Sequence, residues 1–184
     1  MDICTPCKSN IVLIGMPGSG KSTVGAILAK YTSRNFLDTD VLIQVHEHRS
    51  LQDIVNSDGF MTLRRIEERI ILSLTCKDHV IATGGSAVYS HPAMEMLRMD
   101  GMIVFLDADI ATLRSRVRDY STRGLAKRPD QTFEDLFNER LALYNKYADL
   151  TISCSSLSHE DVCEEIIYRL TPCAEMNQSK NGIP

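Results

Sequence analysis

Gly15-Met-Pro-Gly-Ser-Gly-Lys-Ser22 restricts this chain more than any other stretch, because it fits G-x-x-x-x-G-K-[ST] in the setting that pattern requires. Ile11-Val-Leu-Ile14 before it reads as a buried strand. Val24, Ile27, Leu28 and Tyr31 after it recur at i, i+3, i+4 and i+7, so the turn runs from a strand straight into a helix. Each residue type has a physical task. Glycines reach positive φ and allow close approach, so that successive N–H groups converge on phosphate oxygens. The helix start adds unpaired N–H groups and the positive end of its dipole. Lys21 can reach the β- and γ-phosphates, and the Ser22 hydroxyl is placed to ligate Mg²⁺. Gly15, Pro17, Gly18, Ser19, Gly20, Lys21, Ser22 and Thr23 are therefore candidate nucleotide contacts. A glycine turn with a chance lysine would not explain strand, spacing and helix together. The stretch implies a nucleoside triphosphate site.

Length and charge narrow the setting of that site. The 184 residues suit one domain with a full core. The core is expected over about 11–170, with a frayed tail over 172–184. Net charge is −4 and the cations are scattered, which excludes a broad nucleic-acid footprint. No apolar run approaches a membrane span, and the first residues lack a signal-peptide pattern. A cytoplasmic, monomeric enzyme with no membrane or nucleic-acid partner is the expectation. Cys4 and Cys7 form a C-x-x-C with no second pair at zinc spacing, so free thiols in a reducing compartment account for them.

Downstream, apolar strands alternate with helical patterns. Strands are expected at Asn35–Asp38, His79–Ala82, Met102–Leu106 and Leu150–Ser153. Helices are expected from Leu51, Phe60, Pro92, Ile110, Phe133 and Val162. A polar loop fills about 118–131. The pattern predicts an α/β fold, a parallel sheet with helices on both faces, and ligands gathered at the carboxyl ends of the strands.

Three constellations lie at those ends. Asp38 and Asp40 stand two apart after a strand; in a continuing extended chain both would point toward the phosphates. One would serve as an outer-shell Mg²⁺ partner and the other as orienter or base for an acceptor hydroxyl. The plain alternative is a helix N-cap at Asp40 beside a surface acid. Thr83-Gly84-Gly85-Ser86 ends a buried strand with glycines that admit a ligand to the backbone and offer N–H donors. Arg64, Arg116, Arg123 and Arg140 form the third. Two guanidiniums could clamp a small anionic acceptor, although solvated helix faces explain Arg64 and Arg140 equally well by spacing.

Taken together, the motifs resemble the shikimate kinases, a small branch of the nucleoside-monophosphate-kinase-like P-loop group. The likeness spans about 11–170. It rests on residues 15–23, Phe36-Leu-Asp-Thr-Asp40, Leu63-Arg-Arg-Ile-Glu67, Ala82-Thr-Gly-Gly85, and Glu139-Arg-Leu-Ala-Leu-Tyr144 followed by Ala148-Asp149. The resemblance implies a three-layer sandwich whose five-stranded parallel sheet runs in the order 2-3-1-4-5. It implies phosphorylation of the 3-hydroxyl of shikimate by ATP with Mg²⁺. Substrate contacts would come from Asp40, Arg64, Gly84, Gly85 and Arg140, with Asp38 holding the metal through water and Arg116 stacking on adenine. Lys21, Asp40 and Arg123 would be the catalytic residues, Arg123 arriving from a lid over 118–131.

Two positions depart from the pattern. Ser86 stands where the family has a third glycine, and the lid reads Arg123-Gly-Leu-Ala126 then Lys127-Arg128-Pro129 in place of Arg-Pro-Leu-Leu. Arg123 and Arg128 are thus both candidates for the lid arginine. Gly124 in place of proline should raise the entropy cost of ordering the lid. A kinase of gluconate or of a nucleoside monophosphate, and a catalytically silent nucleotide-binding regulator, are the competing readings.

Overall fold

The computed structural model describes residues 8–116 and 124–171. Five strands form one parallel sheet in the order β2-β3-β1-β4-β5: β1 (Asn10–Ile14), β2 (Asn35–Asp38), β3 (His79–Ala82), β4 (Gly101–Asp107) and β5 (Leu150–Ser153). All four pairings are parallel, β1 lying between β3 and β4. The sheet order is the expected one.

The central strand shows why helices cover both faces. Every residue of β1 is buried, and successive side chains of a strand point to opposite faces. Leu13 Cδ1 lies beside Gly25 in α1 (Lys21–Tyr31), whereas Val12 Cγ2 lies beside Gly101, at the end of α5 (His91–Asp100). The edge strands differ. β2 is exposed or half-buried throughout and β5 buries only Ile152, so the strands are apolar on both sides only at the centre.

Between β2 and β3 the chain makes three helices: α2 (Thr39–Glu47), α3 (Leu51–Asp58) and α4 (Phe60–Leu72). α2 is longer than its apolar run, Val41-Leu-Ile43, suggests, because its other face is wet. Ser50 caps α3 reciprocally with Asp53. Ile43, Ile54, Leu63, Ile66 and Ile70 close a small apolar cluster separate from the main core under β1 and β4, and Ala126 joins it. After β3 a 3-10 turn, Ala87–Tyr89, precedes α5. α6 (Ile110–Arg116), α7 (Phe133–Tyr147) and α8 (His159–Leu170) complete the described elements. Among the described residues no helix is long and apolar enough to cross a membrane.

Candidate active site

A cleft of about 610 Å³ opens at the carboxyl ends of β1, β2 and β3. Its first wall is the loop from β1 to α1. Gly20, at φ 98, forms the N-cap of α1, and no side chain caps that helix. Its first N–H groups are thus left for an anion, as a phosphate site needs. Lys21 is buried, and its Nζ donates to Gly15 O and Met16 O, both at 2.9 Å. Burial lowers its pKa to about 8, and the carboxylates of Asp40, Asp38 and Glu67 act in the opposite sense. Ser22 and Thr23 are exposed on α1, while Ser19 Oγ is buried without a partner. At the outer end, Arg116 donates to Cys154 O at 3.3 Å and shares the rim with His159.

The two aspartates do not share an extended segment. The chain turns helical at Thr39, so Asp38 is the N-cap of α2, its Oδ1 accepting from Asp40 N at 2.9 Å and Val41 N at 3.4 Å. The cap therefore falls two residues earlier than the N-cap expected at Asp40, on Asp38. Its other oxygen accepts from Ser22 Oγ at 2.6 Å. Capping and a place beside the phosphate loop are compatible roles for one carboxylate. Asp40 sits in the first turn of α2 and faces the cleft, where burial and then Asp38 raise its pKa to about 6.

The glycine turn after β3 lies across the cleft floor. A Cβ on Gly84 would collide with Glu67 Oε1 and Asp40 Oδ1, and one on Gly85 would come within 2.8 Å of an Arg140 guanidinium nitrogen. Close approach therefore requires glycine at both positions. The expected free N–H donors are only partly available, because Gly84 N already donates to Thr39 Oγ1 at 2.9 Å. Tyr144 Oη donates to Gly85 O at 2.7 Å and pins the turn from α7.

Arg64 and Arg140 are not on solvated faces. Arg140 is 1% exposed, and Arg64 is half-buried with its guanidinium 3.5 Å from the Tyr89 ring centre. Each donates an Nη2 to Ala126 O, at 3.0 and 3.1 Å, while both Nε groups are buried without partners. Two cations from different helices converge on one carbonyl and keep donors in reserve, as capture of a carboxylate requires. Burial holds Arg64 below its ordinary pKa.

Arg123 and residues 118–122 of the expected lid lie outside the described residues, as do Cys4, Cys7 and the tail beyond 171. Residues 124–126 and Gln131 are packed, while 128–130 are exposed. Leu125, Ala126 and Gln131 are buried, and Gly124 N donates to Gln52 Oε1 at 2.8 Å. Gly124 holds φ 58, and a Cβ there would come within 2.5 Å of Leu51 Cβ. Glycine at this position thus permits close docking on α3, a role that its cost in chain entropy does not convey. Arg128 is exposed beside Asp130 and Glu139 and does not line the cleft.

Sequence reasoning assigned no role to Glu67. It is 2% exposed, Oε1 has no partner, and burial followed by the charge of Asp40 pushes its pKa up to about 7. The signal was in the pattern: Leu63, Ile66, Ile70 and Ile71 define a buried stripe, and position 67 lies inside it. An acid inside an apolar stripe calls for a polar partner or a ligand.

Comparison with known proteins agrees with this fold. The shikimate kinase family model matches residues 17–171. A shikimate kinase of Rippkaea orientalis is 39% identical over 177 residues, covering 92% of this chain and 94% of the relative. A solved shikimate kinase of Acinetobacter baumannii in complex with shikimate is 30% identical with a TM-score of 0.82, over 88% of this chain and 92% of that one. The shikimate kinase structure from Aquifex aeolicus is 33% identical with a TM-score of 0.75, over 88% and 95%.

Proposed function

The chain belongs to the shikimate kinase family, and on that premise we propose that it transfers the γ-phosphoryl group of ATP to the 3-hydroxyl of shikimate. The products are shikimate 3-phosphate and ADP. One observation carries the reading at this site: the phosphate loop, Asp40 and Arg140 line one cleft, and Arg64 converges with Arg140 on Ala126 O in its wall.

The acceptor oxygen forms a bond to the γ-phosphorus as the bond from that phosphorus to the β–γ bridging oxygen breaks, its electron pair leaving with ADP. The hydroxyl proton passes to Asp40, which with a pKa of about 6 is mostly ionised at neutral pH yet basic enough to accept it. Lys21 neutralises charge on the β- and γ-oxygens, and Arg123 from the lid adds a second cation. Gly15 to Thr23 bind the phosphates and Arg116 stacks on adenine. Arg64 and Arg140 grip the shikimate carboxylate, while Asp40, Gly84 and Gly85 position its ring. Alignment supplies most of the rate, since phosphoryl transfer asks little covalent chemistry of the protein.

The adjacent oxygens of Ser22 and Asp38 suit a hard cation such as Mg²⁺. Ser22 would ligate it and Asp38 would hold one of its waters. When bound with ATP it supplies charge neutralisation at the β- and γ-phosphates. We take the whole chain to act as one monomeric kinase domain in the cytoplasm, which a single elution volume at monomer mass would support and a larger assembly would refute.

The test is an ADP-release assay with shikimate, quinate, gluconate and nucleoside monophosphates offered separately. Turnover with shikimate well above the others is expected. Preference for another acceptor, or ADP release indifferent to all of them, overturns the reading.

A further inference from the structure

Ser86 is the one departure from the family's glycine run, and it is 7% exposed at the floor of the cleft. Its hydroxyl donates to Glu67 Oε2 across the gap between the turn after β3 and α4. The other oxygen of that carboxylate, Oε1, is buried, unpartnered, and lies over Gly84 next to Asp40 Oδ1. A third glycine at 86 would leave both Glu67 oxygens without a side-chain donor. The carboxylate could then rotate about its last torsion, which is broad for a glutamate. Three charged groups face it: Asp40 from α2, Lys21 from α1 and Arg140 from α7, with Asp38 acting on Asp40 behind them. Without a fixed donor its orientation would follow whichever of them dominated at a given moment.

We propose that Ser86 is a positioning residue for the acceptor: its hydroxyl locks Glu67 so that Oε1 joins Asp40 Oδ1 as a pair of acceptors over Gly84, matched to two hydroxyls on one face of a polyhydroxylated ring. The inference rests on the kinase reading above and deepens it by adding a second hydroxyl contact to the one at Asp40. The chemistry is selective. A buried carboxylate oxygen with no partner favours a substrate that brings a hydroxyl to it and penalises one that lacks it, because the unpaired oxygen then stays dry. Ser86 itself touches no reacting atom. Its effect passes through Glu67.

The test measures steady-state kinetics of Ser86→Ala and Ser86→Gly with shikimate, against pH, with folding checked by circular dichroism. Both variants should raise the KM for shikimate about 10-fold, the scale of a lost hydrogen bond to a charged group. The KM for ATP should stay within about twofold, since the phosphate wall is untouched. The hydrogen bond from Ser86 lowers the Glu67 pKa, so removing it should shift the acid limb of kcat/KM to higher pH. Ser86→Thr, which keeps the hydroxyl, should restore most of the affinity. In a Glu67→Gln background, Ser86→Ala should have an effect at least threefold smaller, because its partner no longer carries the charge. A wild-type enzyme that turns over shikimate while Ser86→Ala leaves its KM and pH profile unmoved overturns this inference alone. So does an equal rise in both KM values, or full additivity with Glu67→Gln. A wild-type chain inactive on shikimate overturns the functional reading, and this one with it.

Discussion

The phosphate loop builds its wall of the cleft from one unbroken stretch, Gly15 to Thr23, whereas the facing wall collects Asp40, Glu67, Gly84 and Arg140 from α2, α4, the turn after β3 and α7, with Arg64 of α4 joining Arg140 at Ala126 O. The loop rests on the main core under β1; much of the facing wall leans on the smaller cluster of α2, α3 and α4. Their electrostatics differ as well. The loop's N–H groups owe their positive end to helix geometry, which holds at any pH. The facing wall is made of buried acids and guanidiniums whose charges depend on one another. The loop is a fixed device for a constant group, the polyphosphate, while the facing wall is an adjustable one for a particular acceptor.

The largest expected effect would break the first half of that comparison. Lys21→Ala removes the side-chain cation of the loop and should lower turnover at least ~10²-fold, the scale of a lost charge stabiliser. Single-turnover kinetics with saturating ATP and shikimate measure it. Near-full turnover would mean that the backbone amides suffice and that Lys21 only braces Gly15 and Met16.

Arg64→Lys sharpens the second half. Lysine keeps the charge but loses the planar fork that bonds Ala126 O while stacking on Tyr89. The KM for shikimate should rise about 10-fold, on the scale of ~1.4 kcal/mol of lost contact, with ATP affinity nearly unchanged. If both ligands weaken equally, Arg64 is a strut between α4 and residues 124–131, and the two walls are one mechanical unit.

Legibility divides along the same line. The phosphate wall was readable because strand, glycine spacing and helix lie in one window, and the fold followed from the alternation of strands and helices. Asp40 stood out by its place after a strand beside the phosphate loop, whereas Arg64 and Arg140 rested on resemblance, since spacing alone could not distinguish a buried guanidinium from a solvated one. The N-cap at Asp38 was displaced because the strand pattern concealed how early α2 begins. The docking role of Gly124 depends on a contact with Leu51, far away in sequence, and so has no local signature. The same holds for the bond from Ser86 to Glu67, which joins two elements that no sequence window contains.

The smallest expected effect concerns pH and tests the claim that the two walls are charged by different rules. Burial and Asp40 raise the Glu67 pKa from 4.5 to about 7, and burial and Asp38 raise that of Asp40 from 3.8 to about 6. An acid whose folded pKa lies above its unfolded value binds more protons when folded. Its contribution to stability is complete below the unfolded pKa and is lost as pH rises through the folded one. For Glu67 that window runs from about pH 4.5 to about 7. Lys21 behaves otherwise: its pKa falls from 10.5 to about 8, so its ionisation cost is constant at acid and neutral pH and is relieved only as pH rises above about 8. From pH 5 to 7.5 the slope from this site therefore belongs to the facing wall. Glu67→Gln, which resembles the protonated acid in shape, should match the wild-type Tm at pH 5 and exceed it by about 3 °C at pH 7.5 in the ligand-free protein. Thermal unfolding followed by circular dichroism at the two pH values measures this. An offset equal at both would mean that Glu67 acts through packing alone. A lower Tm at pH 7.5 than at pH 5, relative to wild type, would mean that Lys21 and Arg140 stabilise its ionised form, and that the two walls hold each other's charge.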